Sequence, residues 1–136
     1  TRALDEGVRQ YLAKRIEEIA TGVAKAYRGI CEMEMVWGAA PVINDPEMAV
    51  LAARAAAKVV GEGAVVTSLP TPNMGGEDFA YFLTEKKGAY MFLSSSNPEK
   101  GTNVPHHNAK FDVDEDVLHL GTEIFVSIVN DYLEAK

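Results

Sequence analysis

The sequence predicts a mixed α/β (α+β) fold, and three observations predict it. Apolar residues recur at helical spacing over residues 5–27 and again over roughly 115–134. Residues 30–37 alternate in polarity with the period of a half-buried strand. Residues 88–93 form a nearly continuous apolar run, which suits a strand covered on both faces. Helices and strands following one another in a single chain point to helices packed on a sheet.

In the first helix, Val8, Tyr11, Leu12, Ile16, Ile19, Val23 and Tyr27 supply the apolar face, and Arg9, Lys14, Glu17, Glu18 and Lys25 take the others. Asp5 and Glu6 suit its positive end, and Arg28-Gly29 closes it. In the strand that follows, Cys31, Met33, Met35 and Trp37 share one face; Glu32 and Glu34 lie on the other with Ile30 and Val36. Arg2-Ala3-Leu4 reads as the tail of an earlier strand, which makes residues 1–43 a β-α-β piece. Two prolines and an Asn44-Asp45-Pro46 turn signal set a boundary there.

Asp45 caps a second helix with Pro46 in its first position; this helix runs to about Val60 behind Met48, Leu51, Ala52, Ala55 and Val59. Its alanine density predicts close packing. Residues 64–69 read as a short strand, residues 77–86 as a short helix, and 94–114 as a long polar loop. The last helix offers Val117, Leu118, Gly121, Ile124, Phe125, Ile128, Val129, Tyr132 and Leu133 for burial.

Composition narrows the function. The 136 residues are 47% hydrophobic and 24% charged, an ordinary globular balance. A net charge of -7 argues against a nucleic-acid partner, which requires a basic face. Apolar runs fall far short of the ~20 residues that span a bilayer, so no membrane role is expected. One cysteine, Cys31, excludes a disulfide within the chain and reads as core rather than nucleophile. That usage fits a reducing compartment, hence a cytoplasmic location. The chain opens Thr1-Arg2-Ala3-Leu4 without methionine or leader and reads as starting inside something larger.

Two loops could carry chemistry. In Asn73-Met74-Gly75-Gly76-Glu77-Asp78-Phe79, the glycines permit close backbone approach, and the acids sit before a helix. That placement equally suits a plain turn with Asp78 as cap and Glu77 favoured by the helix dipole. The second loop, from Ser94 to Asn108, ends in His106-His107, and long structureless loops of this kind are usually functional or disordered. Adjacent side chains on extended backbone point to opposite sides, so only one of the two readily faces a given metal. Zinc sites take three or four protein ligands. His107, Glu77 and His106 are the only candidates, which leaves an incomplete metal site or none. His119 falls within the last helix, where a surface or packing role suits it. No Gly-x-Ser-x-Gly, Walker or Gly-x-Gly-x-x-Gly pattern is present.

The ordered set Asn44-Asp45-Pro46, Met74-Gly75-Gly76-Glu77-Asp78-Phe79-Ala80, Asn97-Pro98-Glu99-Lys100-Gly101-Thr102, Pro105-His106-His107 and Lys110-Phe111-Asp112-Val113-Asp114-Glu115 closely resembles the C-terminal part of metal-dependent amidohydrolases. That family includes hippurate hydrolases, N-acyl-amino-acid deacylases, auxin-conjugate hydrolases and aminoacylase-like peptidases. The resemblance covers essentially the whole chain. It implies a two-domain, di-metal enzyme in which residues 1–43 are a partial lid and dimerisation domain. Residues 44–136 are then the C-terminal part of the α/β catalytic domain.

By the same resemblance the metal-ligand position falls on His107, and Glu77 lines the metal cleft beside Asp78. Arg2 and Asn44 match substrate-contacting lid positions, with a substrate carboxylate as a sensible partner for the Arg2 fork. The remaining ligands and the general-base glutamate are expected outside this chain, which alone would be inactive. Two divalent ions (zinc, manganese, cobalt or nickel) would activate a water against the amide of a small N-acyl amino acid or peptide-like substrate. The family's lid implies a homodimer. Ser94, Ser96 and Asn108-Ala109 depart from the family's usual Gly and Ser-Pro, a difference that bears on the shape of the cleft. The competing expectation is a stand-alone, non-catalytic association module that pairs through an exposed strand edge.

Overall fold

The computed structural model describes residues 1–135 and builds them from helices and irregular chain. The helices are α1 (Glu6–Ala26), α2 (Pro46–Val60), α3 (Ala80–Glu85) and α4 (Leu118–Glu134). Single 3-10 turns occupy Glu62–Ala64, Pro98–Lys100 and Glu115–Val117. Two compact units result: Thr1–Ile43 with Pro70–Lys87, and Asn44–Leu69 with the chain from Gly88 onward.

The helix ends follow local chemistry. Asp5 accepts from the Val8 N–H at 2.8 Å and starts α1. At its other end Arg28 takes a left-handed φ of 60°, so that the Gly29 N–H reaches the Ala24 carbonyl at 2.8 Å and the Arg28 N–H reaches that of Lys25. This paired closure uses the carbonyls that a helix terminus leaves free, with arginine where glycine is usual. Asp45 caps α2 through the Glu47 and Met48 N–H groups, with Pro46 in the first turn. The sequence signals for both ends of α1 and the start of α2 correspond to these bonds.

The predicted α/β class is overturned, because no β-strand occurs among the described residues. Residues 30–37, 65–69 and 88–93 are irregular, and so is the chain before α1. The β-α-β piece therefore reduces to a helix with unpaired flanks. A strand requires a neighbour to take its N–H and C=O groups, and polarity alternation supplies only the facing of its side chains. The facing is indeed visible. Cys31, Met33 and Met35 are half-buried, whereas Glu32 and Glu34 are exposed, as are Ile30 at 91% and Val36 at 80%; Trp37, expected on the inner face, is exposed too. At residues 88–90 the Asp45 N–H bonds the Gly88 carbonyl, and the Asn44 side chain takes both backbone groups of Tyr90. A side-chain amide occupies the positions that a sheet rung would use.

In the first unit, Ala13 is the buried residue of α1, flanked by half-buried Leu12 and Ile16; Val8, Tyr11, Ile19, Val23 and Tyr27 stay exposed. Arg9 instead turns inward. It donates to the Gly38 carbonyl at 2.9 Å, pairs with Glu6 and lies 4.9 Å from the centre of the Trp37 ring. In the second unit, α2 packs along α4, and the buried residues of α2 are Ala52, Ala55 and Ala56, with Ala55 wholly buried at 0% exposure. Only part of the α4 stripe is covered: Ile124 is buried and Val117, Gly121 and Ile128 half-buried, while Leu118, Phe125, Val129, Tyr132 and Leu133 are exposed. Lys58 and Asp131 form an ion pair between the two helices.

Candidate functional site

The segment after residue 93 is a closed loop rather than a loose one. Its hub is the Ser95 carbonyl. That oxygen accepts from the Thr102 hydroxyl at 3.1 Å and from the Asp114 N–H, also at 3.1 Å. The Thr102 hydroxyl in turn accepts from the Asn97 N–H at 3.0 Å. Asn97 caps the 3-10 turn Pro98–Lys100 through the Glu99 N–H, and Gly101 ends that turn with φ 74°. The left-handed backbone there suits glycine, which lacks the Cβ that makes it costly.

Asp114 locks this arrangement from the far side. Its carboxylate accepts from the Asn97 amide at 2.7 Å, the Lys100 ammonium at 2.6 Å and the Asp116 N–H at 3.2 Å. Lys100 also pairs with Asp116. Thr102 and Asp114, at 8% and 6% exposure, are the buried polar side chains among the described residues. The Lys100 ammonium, and after it the Asn97 amide, hold the Asp114 carboxyl down from its ordinary 3.8 to about 2. The same pairing with Asp114, then Asp116, raises the Lys100 pKa.

Between these pinned ends, residues 103–113 carry the histidine pair on the exposed side of the loop. The His106 ring stands edge-on to Phe111, with centroids 4.7 Å apart and planes at 89°. His107 adopts φ 65°, a left-handed conformation in which non-glycine residues are uncommon and histidine is among the more tolerated. Asn108 then turns the chain, with its side chain accepting from the Lys110 N–H and its carbonyl from the Phe111 N–H.

The glycine turn lies in the other unit. Asn73 accepts from the Gly75 N–H at 2.7 Å, and the guanidinium of Arg2 rests against Gly76. A Cβ on Gly76 would come within 2.6 Å of the Arg2 Nη1. Glu77 is half-buried and its carboxylate accepts from the Phe79 N–H at 3.3 Å, so Glu77 rather than Asp78 meets the start of α3. Asp78 is exposed.

Arg2 and Glu77 are thus grouped around one turn in the first unit. Asn44 and His107 belong to the second. Asn44 gives one donor and one acceptor to Tyr90, at 3.0 and 2.8 Å, a role in holding backbone that its position in the sequence did not reveal. No group of three or more His, Cys, Asp or Glu among the described residues could hold a metal ion. The residues of this chain therefore do not fit a metal centre by themselves, and His107 can contribute at most one ligand of one. Sequence reasoning missed the lock formed by Ser95, Asn97, Thr102 and Asp114. Its signal was available: Asn97-Pro98-Glu99 repeats the cap chemistry of Asp45-Pro46-Glu47.

The comparison with known proteins agrees with the ordered motifs. The profile of the Peptidase family M20/M25/M40 matches residues 6–131. Thermostable carboxypeptidase 2 of Saccharolobus solfataricus is 35% identical over 88% of this chain and 30% of its own length. A Bacillus subtilis protein named as an amidohydrolase, YhaA, is 29% identical over 96% of this chain and 33% of its own. An uncharacterized hydrolase of Sinorhizobium fredii, y4tI, is 32% identical over 99% and 33%. The chain spans about a third of the length of the curated relatives it matches. No solved structure matches it. No helix among the described residues is long and apolar enough to cross a membrane.

Proposed function

Because the chain belongs to the peptidase family M20/M25/M40, we propose that it serves a metal-dependent hydrolase acting on the amide bond of N-acyl amino acids. The family match over residues 6–131 carries this reading. The names of the relatives, carboxypeptidase and amidohydrolase, share amide-bond hydrolysis as their chemistry. His107 supplies one ligand to a metal centre whose other ligands and general base lie outside this chain. Two features support its selection over His106. His107 is held in an unfavoured backbone conformation, which functional sites tolerate more than ordinary loops do, whereas the His106 ring is engaged by Phe111.

Arg2 suits the substrate carboxylate, since a guanidinium binds that group through two parallel hydrogen bonds. Its place against Gly76 keeps it beside the turn that carries Glu77. Glu77 would line the same substrate path, and Asn44 would act within its own unit through the Tyr90 backbone it holds. Dimerisation through the region of residues 1–43 accompanies this reading.

The test, made in the full-length protein that carries this chain, is metal content and hydrolysis of a panel of N-acyl amino acids, read on the same preparations. His107→Ala is expected to lower both, and His106→Ala to lower them much less. Equal and severe losses in the two variants would remove the basis for choosing His107. A metal-free dimer without hydrolysis would favour the association-module reading instead.

A further inference from the structure

The lock around Ser95 has no place in the proposed chemistry, yet it contains the two buried polar side chains among the described residues. Both ends of the segment 103–113 meet at one atom, the Ser95 carbonyl, through the Thr102 hydroxyl and the Asp114 N–H. Loops with adjoining ends form compact units packed by their own side chains. Here the packing is His106 on Phe111. We propose that Thr102 and Asp114 are positioning residues, which close this loop and thereby hold His106 and His107 in a single orientation. What that orientation serves rests on His107 being a metal ligand; the closure itself does not.

The geometry favours a local device over general stabilisation. Thr102 spends its hydroxyl proton on Ser95 and its lone pair on Asn97, so its side chain bridges two turns of the same loop. Asp114 takes three donors, from Asn97, Lys100 and Asp116, all within the segment from 97 to 116. Losing Thr102 frees donors and acceptors that belong to the loop alone, whereas losing Asp114 also uncaps the turn Glu115–Val117 that leads into α4. Buried groups deprived of a partner recover hydration only by opening.

The experiment uses the full chain and needs no metal. Tryptic cleavage after Lys110, inside the loop, is timed against cleavage after exposed Lys86 in the other unit as an internal reference. Ring-proton NMR signals of His106, displaced by the Phe111 ring, report the orientation of the pair. Thr102→Val is expected to speed cleavage at Lys110 at least about fivefold, because cleavage follows the population of the open form. It should also return the His106 signals toward those of free histidine, with the Lys86 rate unchanged. Thr102→Ser, which keeps the hydroxyl, should behave as the parent. Asp114→Asn should shift both readouts in the direction of Thr102→Val.

Unchanged cleavage and unchanged signals in Thr102→Val would overturn the proposal. So would an equal rise at Lys86 and Lys110, since that marks loss of overall stability. If instead His107→Ala retained its metal while these shifts appeared, the ligand reading would fail and the closure would stand.

Discussion

Two segments outside the α-helices end in opposite conditions. Residues 30–37 carry the cleaner pattern, and the structure leaves them without a ladder, with Ile30 and Val36 in the open. Residues 95–116 carry little pattern, being rich in Ser, Asn, Gly, Pro and charge, and yet they close on themselves through a chain of hydrogen bonds. The difference lies in how far away the partners are. The bonds of the second segment join groups it carries itself, the widest running from Ser95 to Asp114, so the loop they close is of modest length. The first segment needs a second strand, and none lies beside it among the described residues.

The comparison can be broken most directly at Asn97. Asn97→Ala removes a cap and takes one of three donors from Asp114, so thermal unfolding should show a loss of about 2 kcal/mol. A loss below a few tenths would mean that the loop closes without its network. Acid should weaken the same lock. The Asp114 pKa is lower folded than unfolded, so its contribution is complete above the ordinary 3.8 and is lost as pH falls toward about 2. Asp114→Asn should flatten that part of the stability-against-pH curve, and an unaltered curve would assign the acid sensitivity elsewhere.

On the other side of the comparison the effects shrink. Arg9→Met cuts the bond to the Gly38 carbonyl and the contact with Trp37, and should cost about 1 kcal/mol in denaturant unfolding. Smallest is Ile30→Lys. With its side chain 91% exposed, stability should change by no more than about 0.5 kcal/mol. A larger loss in the full protein would reveal a partner that covers residues 30–37, and would sharpen the contrast into one of missing neighbours.

Much of the helical framework was legible because its determinants are local. The start of α2 was written in Asp45-Pro46, and the end of α1 in Arg28-Gly29. The alanines of α2 announced close packing, and Ala55 is wholly buried in a helix that packs on α4. The apolar stripe of α4 was legible too, but its covered width was not. Phe125, Val129 and Leu133 sit on the same helix as Ile124 and remain largely exposed. The candidate site was legible in outline, as a long loop ending in two histidines. The lock that shapes it went unread, since hydrogen-bonding side chains in loops carry no periodicity.

The sequence by itself determined the membership in a hydrolytic peptidase family, both ends of α1 and the start of α2, and the inward facing of Cys31, Met33 and Met35. Those features depend on residue identity and on neighbours a few positions away. Only the tertiary structure decided that no sheet forms among these residues, that Asn44 spends its amide on Tyr90, and that Thr102 and Asp114 meet at the Ser95 carbonyl. Each of these depends on which backbone groups come within hydrogen-bonding reach, and that is set by the path of the whole chain.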